Sequence, residues 1–219
     1  MNVALNVIIS LITAIYPSTF NKSTAALEST YIMNTNDNVI LEVPFVHQVN
    51  DLQENEKKII MSSACGPASI TMTLKYLGGD YNISQVINAL PNNIYIKGKM
   101  FYNLTLAPSI FNKKAVVLKN NYQSIYTALK DGHPIILNIQ NYNGLIGHAV
   151  VVVGIKNFDG TKAESLIIHD PYVGPYREFK YLTEKTLKQP EGFTNYIGTL
   201  SHFYVVNSEE TSQLAQVLK

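Results

Sequence analysis

Along the chain, short apolar runs alternate with polar breaks marked by glycine or proline, and the spacing inside each run predicts its element. Ile70, Leu74 and Leu77 recur at i, i+4 and i+7, the apolar face of a helix that begins at Pro67 and stops at Gly78-Gly79. Proline suits that first turn because its missing N–H would have no partner within the helix. Ser84 to Leu90, ended before Pro91, and Gln123 to Lys130, closed by Gly132, read as two further helices. In the second half the runs become β-branched: Pro134 to Ile139, His148 to Val153, Ser165 to His169 and His202 to Val206 predict the strands of one sheet. Val39 to His47 reads as an earlier strand in which Pro44 marks an edge or an end. The charged stretch Asp51 to Lys58 reads as a solvated loop, and Ser208 with Glu209 and Glu210 is placed to cap a last helix. Helices early and strands late predict an α+β fold instead of alternating βαβ units.

The first 38 residues follow another pattern. Val3 to Tyr16 is apolar except for Asn6, Ser10 and Thr13, the length of the core of a secretory signal and too short to span a bilayer. Ser23-Thr24-Ala25-Ala26 offers small residues for cleavage, but no Lys or Arg precedes Lys22. Two readings stand: a signal that directs secretion, or a buried first helix. Residues 1–38 are taken as a signal or leader segment with a linker, residues 39–219 as one domain, and the location as secreted or extracytoplasmic. With 219 residues, 46% hydrophobic and 15% charged, the chain is neither disordered nor a collagen nor a coiled coil. Seventeen basic residues against 16 acidic ones leave a net charge of +1, so no electrostatic field invites nucleic acid, and no such partner is expected.

The chain has one cysteine, Cys65, so an intrachain disulfide and a thiolate-rich metal cage are both excluded. Neither a metal nor a cofactor is expected. A lone cysteine is either a small buried hydrophobe or a nucleophile. A nucleophile needs its thiolate favoured, by a helix N-terminus and by a nearby imidazole. Cys65 stands just ahead of Pro67, and Gly66 leaves room for a substrate to approach the backbone. His148 is the best-placed histidine, since it opens an apolar strand directly after a glycine-containing loop, and Gly147 gives access to it. Asp170 ends the following strand, ahead of Pro171, where its carboxylate can hold the imidazole by the other ring nitrogen. His169 should face away from Asp170 by strand alternation and be structural. His47 should flank the site, His133 belong to a turn, and His202 serve packing.

Five segments together carry a resemblance: Val43-Pro44-Phe45-Val46-His47-Gln48, Ala64-Cys65-Gly66-Pro67-Ala68-Ser69-Ile70 with Leu77-Gly78-Gly79, Asp131-Gly132-His133-Pro134-Ile135-Ile136, Gly147-His148 with Ala149 to Gly154, and Asp170-Pro171. In this order, over about residues 40 to 206, they resemble the C39-like family of papain-fold cysteine peptidases, related to the bacteriocin-processing peptidases. The resemblance implies a papain-like fold, with a nucleophilic cysteine at the start of a central helix packed on a C-terminal antiparallel sheet. It implies a Cys-His-Asp triad carried by Cys65, His148 and Asp170, peptide-bond hydrolysis through a thioester, and a peptide or protein substrate. It also implies an oxyanion-hole glutamine, matched best by Gln48, although 17 residues (65 − 48) separate it from Cys65 and Gln53 competes for the role. The charged insertion must loop out for Gln48 to serve. Substrate-lining groups are expected in Lys97 to Phe111 and Asn141 to Gly147, with no membrane span and the chain acting as a monomer. The same triad can pass the acyl group to an amine, as a transpeptidase or acyltransferase does. A non-catalytic relative would instead grip an extended peptide along its sheet edge.

Overall fold

A computed structural model of the chain describes residues 37–101, 103–140, 147–188 and 195–207. The signal segment and linker expected over 1–38 lie outside these residues, apart from Asp37 and Asn38, which open a strand. The last helix expected at Ser208 lies outside them as well. The elements run β1 (Asp37–Ile40), α1 (Glu54–Ile60), α2 (Cys65–Tyr76), α3 (Ile83–Ala89), a small hairpin of β2 (Tyr95–Ile96) and β3 (Met100–Phe101), a 3-10 helix (Leu104–Phe111), β4 (Lys113–Val117) and α4 (Tyr122–Lys130). The remainder is strand: β5 (Ile135–Gln140), β6 (His148–Phe158), β7 (Ser165–Asp170), β8 (Gly174–Thr183), β9 (Thr186–Lys188) and β10 (Asn195–Asn207).

This is a mixed α/β structure built on an eight-stranded antiparallel sheet. Its order is β1-β6-β5-β10-β9-β8-β7, and β7 also pairs with β6, so strands β5 to β10 close on themselves as a six-stranded ring. β1 attaches outside the ring at β6, and β4 attaches to β10 where β9 has left it. Closure explains why β6 reads as an unbroken apolar run. Val150 and Val152 point into one core with Ile135, Leu137, Leu166, Ile168, Phe179 and residues of α4, while Val151 and Val153 point into another with Ala68, Ile70, Met72 and Leu74 of α2. A strand buried on both faces has no polar side to alternate with.

Three expectations need correction. The β-strand expected over Val39 to His47 ends at Ile40: the Leu41 N–H still donates to the Val153 carbonyl at 2.7 Å, then the chain leaves the sheet ahead of Pro44, which has no N–H to donate. The stretch Asp51 to Lys58 is not a loop. Glu54–Ile60 is the helix α1, with Glu54 and Glu56 in its first turn, Lys57 and Lys58 in its last, and the Gln53 N–H donating to Glu56 Oε2 at 3.3 Å. These charges suit the ends of a helix dipole, and only Ile60 is buried, so the pattern lacked an apolar face. The sheet, finally, is not wholly C-terminal, since β1 and β4 join it ahead of α4.

Helices α2 to α4 and strands β5 and β7 form where expected, within a residue or two at their ends, whereas β6 runs five residues past Val153 to Phe158 and β10 begins seven residues before His202, at Asn195. Asn82 Oδ1 accepts from Gln85 N at 2.9 Å to start α3, and Asn121 Oδ1 accepts from Ser124 N at 2.8 Å to start α4. Gly78 takes φ +81° after α2, the left-handed conformation glycine adopts without steric cost. Among the described residues no helix is long and apolar enough to cross a membrane.

Candidate functional site

Cys65 is the first residue of α2, and the helix starts two residues earlier than Pro67 suggests. Pro67 still sits in the first turn, where no N–H is missed. Ala64 supplies no side-chain cap, so the positive end of the helix is left to the sulfur. Cys65 is partly exposed, and its thiol hydrogen-bonds the His148 side chain and the backbone N–H groups of Gly66 and Ala149. Burial works to raise the thiol pKa, but the bond and charge of His148 with the two backbone donors bring it below the ordinary value.

His148 opens β6, which packs along α2, so strand and helix present imidazole and sulfur to each other at their starting ends. Asp170 is the last residue of the neighbouring strand β7. His148 Nε2 donates to Asp170 Oδ1 at 2.9 Å, which leaves Nδ1 as the ring nitrogen to face the sulfur. The same carboxylate oxygen accepts from the backbone N–H of Tyr172 at 2.9 Å and of Val173 at 3.2 Å. Asp170 is fully buried (0% exposed), and these donors hold its carboxylate in one orientation. Burial alone would lower the pKa of His148, but the bonds to Asp170 and Cys65 and their charges raise it to about 9. Both shifts favour an imidazolium beside a thiolate, with a carboxylate bonded to the ring.

Gln48 is 4% exposed and tied twice. Its backbone N–H donates to the Pro171 carbonyl at 2.8 Å, next to Asp170, and its Nε2 donates to the Met61 carbonyl at 2.7 Å, four residues before Cys65. The long spacing to Cys65 is therefore taken up by a helical excursion, α1, that leaves Gln48 and returns to its side chain. Gln53 is exposed at the start of α1, away from this bridge. Of the two substrate-side glycines, Gly66 is buried in the first turn of α2, and Gly147 is exposed directly before His148, where a Cβ would approach Asn138 Oδ1 to 3.2 Å. The expected lining residues 141–146 lie outside the described residues, whereas Lys97 to Phe111 forms the β2–β3 turn, β3 and the 3-10 helix.

The other histidines are placed as expected. Both ring nitrogens of buried His169 are engaged, Nε2 donating to the Val43 carbonyl at 2.9 Å and Nδ1 accepting from Tyr176 N at 3.1 Å. Burial lowers its pKa against the opposing effect of the Val43 carbonyl, so the ring is neutral. His47 caps the turn that carries Gln48, its Nδ1 accepting from Val49 N at 3.0 Å and Asn50 N at 3.2 Å. His133 stacks on Tyr204 at 4.7 Å between ring centres, and His202 is buried on β10. Among the described residues no three His, Cys, Asp or Glu side chains converge in a group that could hold a metal ion.

Sequence reasoning missed Met61, Ser63 and Tyr95. None belongs to a motif, and the link between Ser63 and Tyr95 spans 32 residues, so it exists only once the chain is folded.

The model of the Peptidase_C39 like family matches residues 40–195, a span that runs from the end of β1 to the start of β10 and includes Gln48, Cys65, His148 and Asp170. A search of the curated proteins finds no match. More than half of the chain lies within the matched span, and the chain belongs to the Peptidase_C39 like family.

Proposed function

We propose that this protein is a cysteine peptidase of papain-like fold that hydrolyses a peptide bond through a thioester on Cys65. The observation that carries this reading is the continuous link from the Cys65 thiol through the His148 ring to the buried Asp170 carboxylate, with 2.9 Å between Nε2 and Oδ1. The thiolate attacks the carbonyl carbon, and the developing oxyanion takes hydrogen bonds from the Gln48 amide and the Cys65 backbone N–H. As the C–N bond breaks, His148 gives its proton to the leaving amine. The neutral ring then takes a proton from water, which attacks the thioester, and the carboxylic acid leaves with the thiolate restored. Asp170 stays ionised throughout and keeps the ring in register. Gly66, next to Cys65, and Gly147, next to His148, are the substrate-side residues of this reading. The same reading takes 39–219 as the peptidase domain and 1–38 as a signal segment and linker, with activity outside the cytoplasm.

The test is the pH dependence of Cys65 alkylation by iodoacetamide, in wild type and His148→Ala side by side. A midpoint well below the free-thiol value of about 8.5, returning towards it in the variant, is expected. An ordinary or unreactive thiol in both proteins would overturn the reading. A peptide library, with Cys65→Ala as the blank, then identifies substrates.

A further inference from the structure

The chain enters Cys65 through four residues, Met61 to Ala64, that join α1 to α2, and this connector is held at two points. Gln48 holds the Met61 carbonyl. The second hold is Ser63, a buried residue whose hydroxyl has three partners: it donates to the Ile60 carbonyl at 3.2 Å, lies 2.9 Å from the Tyr95 hydroxyl and accepts from Gly98 N at 3.1 Å. A hydroxyl has one proton and two lone pairs. With the proton on Ile60 and one lone pair on Gly98, the Tyr95 hydroxyl is the donor to the other, and Ser63 is saturated. Its partners lie on α1 and on both parts of the small hairpin, the β2 strand and the turn that follows it.

The turn is fitted closely against α1. Gly98 has φ +73°, and a Cβ there would lie 2.4 Å from the Ile59 carbonyl oxygen, so no other residue fits without moving the turn or the helix. Tyr95 is almost fully buried (1% exposed), which fixes the ring that carries the hydroxyl. Nothing at the start of α2 does this work locally, since Ala64 contributes no side-chain cap. Tyr95 and, beyond it, Glu56 are ionisable groups on the connector side, and His148 stands on the other element packed against α2.

We propose that Ser63, held by Tyr95 and Gly98, is a positioning residue for Cys65: by pinning the connector it sets where the sulfur meets His148 and where the Met61 carbonyl holds Gln48. Ser63 acts on the sulfur through the connector and not on a reacting atom. The inference rests on the reading of Cys65 as the nucleophile.

The experiment compares alkylation of Cys65 as a function of pH in wild type, Ser63→Ala, Tyr95→Phe, Ser63→Thr and His148→Ala, with circular dichroism to establish that each is folded. Ser63→Ala and Tyr95→Phe are expected to move the midpoint upward and to slow alkylation near neutral pH by about tenfold, the equivalent of one pKa unit. Ser63→Thr, which keeps the hydroxyl, is expected to retain most of the wild-type profile. Folded Ser63→Ala and Tyr95→Phe with the wild-type midpoint, and only a lower melting temperature, would overturn the positioning role. If His148→Ala restores an ordinary thiol while these two do not shift it, positioning fails and the catalytic reading stands. An ordinary thiol already in the wild type overturns both. Should Ser63→Ala not fold, Tyr95→Phe carries the test, because it keeps the ring and removes the hydroxyl alone.

Discussion

The side-chain amide of Gln48 donates to the Met61 carbonyl at 2.7 Å, across the whole of α1. This bond engages one amide proton, and in the proposed reaction the other serves the oxyanion, while Oε1 is buried without a partner. Gln48→Ala is expected to lower turnover by about 100- to 1000-fold, the usual effect of losing one oxyanion donor, while Cys65 alkylation changes far less. Parallel slowing of both would instead assign Gln48 to holding the connector alone.

Asp170 offers a cleaner separation of charge from shape. Asp170→Asn keeps an acceptor oxygen for the N–H groups of His148, Tyr172 and Val173 but removes the charge that raises the His148 pKa. The imidazole should then titrate below its wild-type value of about 9, readable by NMR of the ring protons. Asp170→Ala leaves a buried imidazolium and two backbone donors without their acceptor, and should cost about 3 kcal/mol or more of stability in urea unfolding.

The pH window follows from the same groups. The thiolate–imidazolium pair exists between the lowered thiol value and about 9, so peptidase activity should rise with pH from below the ordinary thiol range and fall through about 9. His148 holds its proton more tightly folded than unfolded, where about 6.5 is usual. The stability it contributes is therefore full below about 6.5 and is lost as pH rises through about 9. The difference in unfolding free energy between wild type and His148→Ala should shrink over that rise.

His169 should behave in the opposite sense. Its folded pKa is lowered by burial, so the stability tied to its neutral ring is present above about 6.5 and is lost as pH falls through the folded value. His169→Gln, a neutral side chain at this position, should flatten the acid limb of the stability profile in thermal melts. Alkylation of Cys65 at neutral pH should stay near wild type, in contrast to His148→Ala.

What the sequence revealed depended on punctuation. α2, α4 and strands β5 to β7 are apolar runs bounded by Gly, Pro or Asn, and Cys65, His148 and Asp170 each stand at an end of such a run. That is why these three residues could be singled out from types and order. α1 was not, because its stability lies in charges at its ends and a single buried Ile60. β8 was missed for a related reason: apart from Gly174, its first residue, it buries only Phe179 and offers the other side chains to solvent or the rim. Closure of the ring depends on the pairing of β7 with β6 and of β9 with both β8 and β10, and no local pattern encodes it.

The order of the elements also sets when the thiol meets its partners. A chain made from its N-terminus contains Cys65 and α2 well before β6 and β7, which carry His148 and Asp170, and the ring is complete only when β10 arrives. Until β6 and β7 are made, the sulfur has neither the imidazole nor the carboxylate beside it, and it behaves as any free cysteine. Burst labelling of Cys65 during refolding would mark the moment of arming.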